Sequence, residues 1–120
     1  MKREVANAVS TLAEGLTITD EVAPGRHGDI PLRRYLPEQG AGAAATVVWA
    51  HGGGFAFGDL DMPESHAVAC AIARAGREVV TVDYRRVPMW NIVLPPRKRA
   101  LKGTRYPIPV DDLQDAFRYV

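Results

Sequence analysis

Apolar residues at Val5, Ala8, Val9 and Leu12 recur at helical spacing and predict a short amphipathic helix within residues 1–15, stopped at Gly15. Two β-rich stretches follow, LTITDEV and DIPLRRYLP, separated by the turn-prone APGRHGD. Residues 16–37 are therefore expected to form an antiparallel hairpin. After a flexible EQGAGAAA connection, the apolar run Thr46 to Ala50 is too short for a helix and predicts a strand buried on both faces. The stretch MPESHAVACAIARAG predicts a helix, with Asp61 as its N-cap, Pro63 and Glu64 in the first turn and Gly76 as its stop. EVVTVDYR predicts a second buried strand ending at Asp83 and Tyr84. Residues 46–85 thus form a βαβ unit, whose parallel strands need cover on both faces of the sheet.

From 86 to 109 the pattern is irregular, with five prolines and the cations Arg97, Lys98, Arg99, Lys102 and Arg105, which predicts a loop insertion. Residues 110–120 start another helix. Asp111 or Asp112 would cap it, and Leu113, Ala116, Phe117 and Val120 would form its apolar stripe. The whole is one α/β domain, with a hairpin leading into a mostly parallel sheet flanked by helices. A strand following that last helix would pack beside the one ending at Asp83.

Composition narrows the function classes. A formal charge of +1 over 120 residues supplies no global field to recruit nucleic acid or an anionic membrane. The basic cluster lacks interleaved aromatics beyond Tyr106 and reads as a solvated loop. Cys70 is the lone cysteine, which excludes an internal disulfide and a Cys-rich zinc site, and its apolar surroundings place it in a helix core. No apolar run nears the roughly 20 residues of a membrane span, and the N-terminus lacks a signal-peptide pattern, so a cytoplasmic location is expected.

The chemistry concentrates in TVVWAHGGGFAFGDLDM. Three glycines after a strand let backbone N–H groups approach one ligand atom closely, because no Cβ obstructs them. Two such donors on one oxygen stabilise the charge that develops when an ester or amide carbonyl is attacked. A dinucleotide-binding reading of Gly52, Gly54, Gly58 and Asp83 is weaker. Asp59, Asp61 and Glu64 crowd the place of the pyrophosphate, and the helix begins too late to face it. Asp59, Asp61 and His66 as metal ligands give way to capping by Asp61. Ser65 beside His66 is no nucleophile–base pair, since adjacent helix positions diverge. No cofactor or metal is expected.

HGGGF, then GDLD, then VDYRRVP, then YPIPVDDLQDAFRYV resemble the α/β-hydrolase fold, in the group of bacterial carboxylesterases similar to hormone-sensitive lipase. HGGG alone is moderately specific; HGGGF, VDYR and YPxPxDD in that order are strongly specific together. The resemblance runs from about Leu16 to Val120. It implies that Gly53 and Gly54 supply oxyanion-hole N–H groups, that His51 and Gly52 support the loop, and that Phe55 and Phe57 line the pocket of a small-molecule ester substrate. It also implies that Asp83 and Arg85 hold the strand end and the following loop. The sequence departs from that pattern in two ways. Met89 stands where the group carries an acid within V-D-Y-R-L-A-P-E, and some fifteen extra residues precede YPIP. More consequentially, no G-x-S-x-G elbow is present, and the serines are Ser10 and Ser65. The resemblance therefore implies the N-terminal part of a serine carboxylic-ester hydrolase, inactive by itself. A non-catalytic remnant or partner-dependent half-domain is the alternative.

Overall fold

The computed structural model describes residues 13–54, 56–88, 104 and 106–120. Most of the expected N-terminal helix, Phe55, Met89 and all five loop cations lie outside the described residues. Strands β1 (Leu16–Ala23) and β2 (Ile30–Pro37) form the expected hairpin, with Leu16 opposite Pro37 and Ala23 opposite Ile30. Then come β3 (Val47–Ala50), α1 (Pro63–Arg74), β4 (Val79–Val82) and α2 (Ile108–Tyr119). The four strands lie in the order β1-β2-β4-β3. β2 meets β4 antiparallel and β3 meets β4 parallel, so an antiparallel hairpin is fused to a parallel βαβ unit.

The sheet has two apolar faces, each with a helix on it. Ile30, Leu32, Val80, Val82 and Tyr84 pack with Ala116 of α2, while Tyr35 and Val79 pack with Ala69, Cys70 and Ala73 of α1. This explains why β4 is valine-rich on both faces: all four of its residues, Thr81 included, are buried between two strands and two helices.

β3 departs from expectation. It is half-buried rather than covered on both faces, because among the described residues it pairs only with β4 and forms the sheet edge. The open edge therefore belongs to β3, and β4 already has both its neighbours. Both helix caps also differ from expectation. Met62 and Pro107 occupy the N-cap positions, with no side-chain capping bond at either. Asp61 instead meets Arg33 at 3.0 Å, and Asp112 is wholly buried against Arg85. The stop of α1 is as expected. Gly76 has φ +94°, its N–H donates to Ala73 O, and the Arg77 N–H donates to Ile72 O, which is a Schellman closure. On α2, Leu113 and Ala116 face the sheet, whereas Phe117 is 69% exposed, so the expected stripe is only half applied.

The hairpin turn is clamped to α2 by Arg26. Its guanidinium bonds Asp115, Asp111 and Gln114, its backbone N–H donates to Asp115 Oδ2 at 2.9 Å, and His27 Nε2 lies 2.8 Å from Asp111. The Arg26 side chain, followed by its backbone N–H, holds the Asp115 carboxyl down at about 2, against 3.8 for an unperturbed group. Since the folded value is depressed, this contact stabilises the fold above about pH 4 and the contribution is lost as pH falls through about 2. The melting-temperature gap between the parent and Asp115→Asn is expected at about pH 6 and should close by about pH 2. A gap independent of pH would contradict the clamp.

Candidate functional site

The site grows from the C-terminal end of β3, where His51 begins a loop that closes on itself. The Gly53 carbonyl accepts the N–H groups of Ala56 and Phe57, each at 3.1 Å, to form a tight turn. Gly53 adopts φ +122° and Gly54 φ +60°, conformations open to glycine and strained for other residues. A Cβ on Gly53 would lie 2.2 Å from Phe57 O, whereas one on Gly54 would meet open space. Among the described residues no hydrogen bond occupies the N–H of Gly53 or Gly54, and both residues are exposed. At the far end Gly58, with φ +97°, lies so close to the His51 ring that a Cβ would fall 2.4 Å from Nδ1.

His51 is a buried brace. Its Nδ1 lies 2.9 Å from Gly52 O, and since a carbonyl only accepts, Nδ1 carries the hydrogen. The ring stacks on Tyr84 at 4.2 Å, and the Tyr84 hydroxyl donates to His51 O at 2.7 Å. The remaining Nε2 faces Asp83 Oδ1 at 3.9 Å, beyond hydrogen-bond range, and both atoms are buried without a hydrogen-bond partner among the described residues. Burial pushes the Asp83 carboxyl above its ordinary value, opposed by Arg86 and His51. A raised carboxyl holds a proton more readily, but at 3.9 Å it forms no hydrogen bond with Nε2. None of this places His51 as a general base toward a substrate.

All four residues after β4 serve this frame. Asp83 and Tyr84 face His51, Arg86 Nη1 binds Gly58 O, and Arg85 anchors the segment to α2. Arg85 Nη1 donates to Asp112 Oδ1 at 2.5 Å and its backbone N–H to Asp112 Oδ2 at 2.9 Å. Its Nη2 reaches Asp29 O at 3.4 Å, a position that a Cβ on Gly28 would obstruct at 2.5 Å. From the other side Arg33 of β2 holds Leu60 O at 3.0 Å, fixing the exit of the loop.

Of the residues singled out in the sequence, His51, Gly52, Gly53 and Gly54 stand together in the loop. Phe57 belongs to it too but is 62% exposed. Ser65 and His66 diverge: Trp49 Nε1 donates to Ser65 Oγ at 3.2 Å, and His66 Nδ1 pairs with the Tyr35 hydroxyl at 3.0 Å. Among the described residues no group of three or more His, Cys, Asp or Glu could hold a metal ion. Cys70 is buried, its thiol pushed up by that burial, as befits a core residue. Sequence reasoning missed Gly58, Tyr84, Arg86 and Asp112. The signal for the first three was their place beside HGGG and within VDYRR. Asp112 stood in YPxPxDD and was read as a helix cap, with no signal that it would pair with Arg85.

Comparison with known proteins bears on the fold. A family model described as the α/β-hydrolase fold (Abhydrolase_3) matches residues 47–96. The chain is 41% identical over 73 residues to the carboxylic ester hydrolase LipN of Mycobacterium tuberculosis, covering 59% of this chain and 18% of that protein. It is 35% identical over 95 residues to an ethyl acetate hydrolase of Pseudomonas putida, covering 76% and 24%. Among solved structures, a bacterial heroin esterase superposes with TM-score 0.74 at 26% identity, over 98% of this chain and 33% of that one. The chain thus spans about a fifth to a quarter of the length of these curated relatives. No helix among the described residues is long and apolar enough to cross a membrane.

Proposed function

We propose that this chain, which has the α/β-hydrolase fold and is similar to carboxylic ester hydrolases, supplies the oxyanion hole of a serine esterase through the N–H groups of Gly53 and Gly54. The observation that carries this is the closed His51–Gly58 loop at the end of a parallel strand. Its two central glycines leave their N–H groups without an internal partner among the described residues, while His51, Tyr84, Arg86 and Arg33 brace it on both sides. Rigid donors aimed where charge develops are what acyl transfer requires. The substrate class is a small carboxylic ester, with Phe55 and Phe57 beside the acyl or alcohol group, in a cytoplasmic setting and without a cofactor. Nucleophile, acid and base come from polypeptide other than these 120 residues. Ser65, the serine among the described residues, is buried and accepts the Trp49 indole N–H.

The 120-residue chain by itself is therefore expected to resist a fluorophosphonate probe and to leave p-nitrophenyl acetate unhydrolysed above background. An oxyanion hole without its triad retains only a small residual acceleration. Stoichiometric labelling mapped to Ser10 or Ser65 would overturn this division of roles.

A further inference from the structure

We propose that Arg86 is a positioning residue of the glycine loop, holding the Gly58 carbonyl from the end of β4 and so fixing the turn that presents Gly53 and Gly54. The inference rests on the oxyanion reading for its functional meaning and on independent geometry for its substance. Arg86 lies on the segment that leaves β4, next to Arg85. Its Nη1 donates to Gly58 O and lies 3.8 Å from Asp83 Oδ1, so one guanidinium links the loop end to the acid that faces His51.

The loop needs such a tie. Among the described residues its internal bonds are those from Ala56 and Phe57 to Gly53 O and from His51 Nδ1 to Gly52 O, and its outer surface is exposed. His51 fixes the entrance and Arg33 grips Leu60 beyond the exit, which leaves Gly58 as the hinge between the turn and the segment leading to α1. A charged donor on that carbonyl restrains the hinge more strongly than water, which exchanges freely. Asp83 is also faced by His51, Tyr84, Asp59 and Asp61, and of its charged neighbours Arg86 is the foremost in holding its carboxyl down.

The test compares Arg86→Leu and Arg86→Lys with the parent 120-residue chain by NMR. Amide exchange is followed at Ala56 and Phe57, with the α1 amides as the control for an intact fold, and Asp83 is titrated through its side-chain carboxyl carbon. Arg86→Leu is expected to speed exchange at Ala56 and Phe57 by about tenfold, as for loss of a charge-assisted bond, with the α1 amides unchanged. The Asp83 midpoint should move further up. Arg86→Lys, which keeps a charged donor, should stay near the parent in both. Loop exchange in Arg86→Leu within about twofold of the parent, or failure of lysine to rescue it, would overturn the proposal. Neither measurement involves turnover, so a failed oxyanion assignment and a failed Arg86 assignment give different results.

Discussion

Arg85→Met is expected to lower the unfolding free energy by about 3–5 kcal/mol, the cost of leaving a buried charge without its counter-ion. Asp112 has no exposed surface, whereas the Arg85 side chain is 29% exposed, so the two partners are not equivalent. Removing the guanidinium strands a carboxylate in the apolar layer between β4 and α2, with the backbone N–H of residue 85 as its remaining donor among the described residues. Removing the carboxylate by Asp112→Ala leaves a guanidinium that can turn to water and one orphaned N–H, a loss of about 1–3 kcal/mol. The double variant Arg85→Met, Asp112→Leu should recover much of the loss, since two apolar groups leave nothing unpaired except that N–H. Urea denaturation of the four proteins checks this. Equal losses for the two single variants would mean that Asp112 reaches solvent or a partner that this geometry does not give it.

This pair also shows where sequence reasoning stops. The hairpin, the βαβ unit and the Gly76 stop were legible because each depends on residues within a turn or a period of one another. The caps were misplaced because an acid just before or inside a helix start is locally a good cap. Asp61 and Asp112 are instead claimed by arginines 28 and 27 positions away, and no local spacing rule sees such partners. β3 failed for a related reason. An apolar tetrad predicts burial, but burial depends on how many strands flank it, and the strand order that leaves β3 outermost is a tertiary fact. The glycine loop was legible in outline because HGGGF concentrates a rare conformational demand. Its bracing was not, since Tyr84 and Arg86 reach it only once β4 lies beside β3.

The two central glycines should respond differently to the same methyl group, and this difference tests the oxyanion assignment most directly. At Gly53 an alanine Cβ would lie 2.2 Å from the Phe57 carbonyl oxygen and 2.6 Å from its carbon. Backbone cannot swing aside as a flexible side chain would, so the turn must open. The N–H groups of Ala56 and Phe57 then lose their acceptor, and the neighbouring glycine N–H groups leave the position in which the proposed role has them meet a developing oxyanion. In the polypeptide that unites this chain with nucleophile, acid and base, Gly53→Ala is expected to reduce kcat on a short p-nitrophenyl ester by about 10²–10³-fold, as for a lost oxyanion donor. KM should change little, because the donors act mainly in the transition state. At Gly54 the Cβ meets nothing within 4 Å, and φ +60° is the left-handed well that other residues enter at a cost of about 1–2 kcal/mol. Gly54→Ala should therefore lower the melting temperature modestly while its N–H stays in place, and it should keep more than about a tenth of the parental kcat, a smaller loss than removal of a donor brings. Parental turnover in Gly53→Ala, with the turn shown to be open by fast exchange at Ala56 and Phe57, would remove this loop from the chemistry.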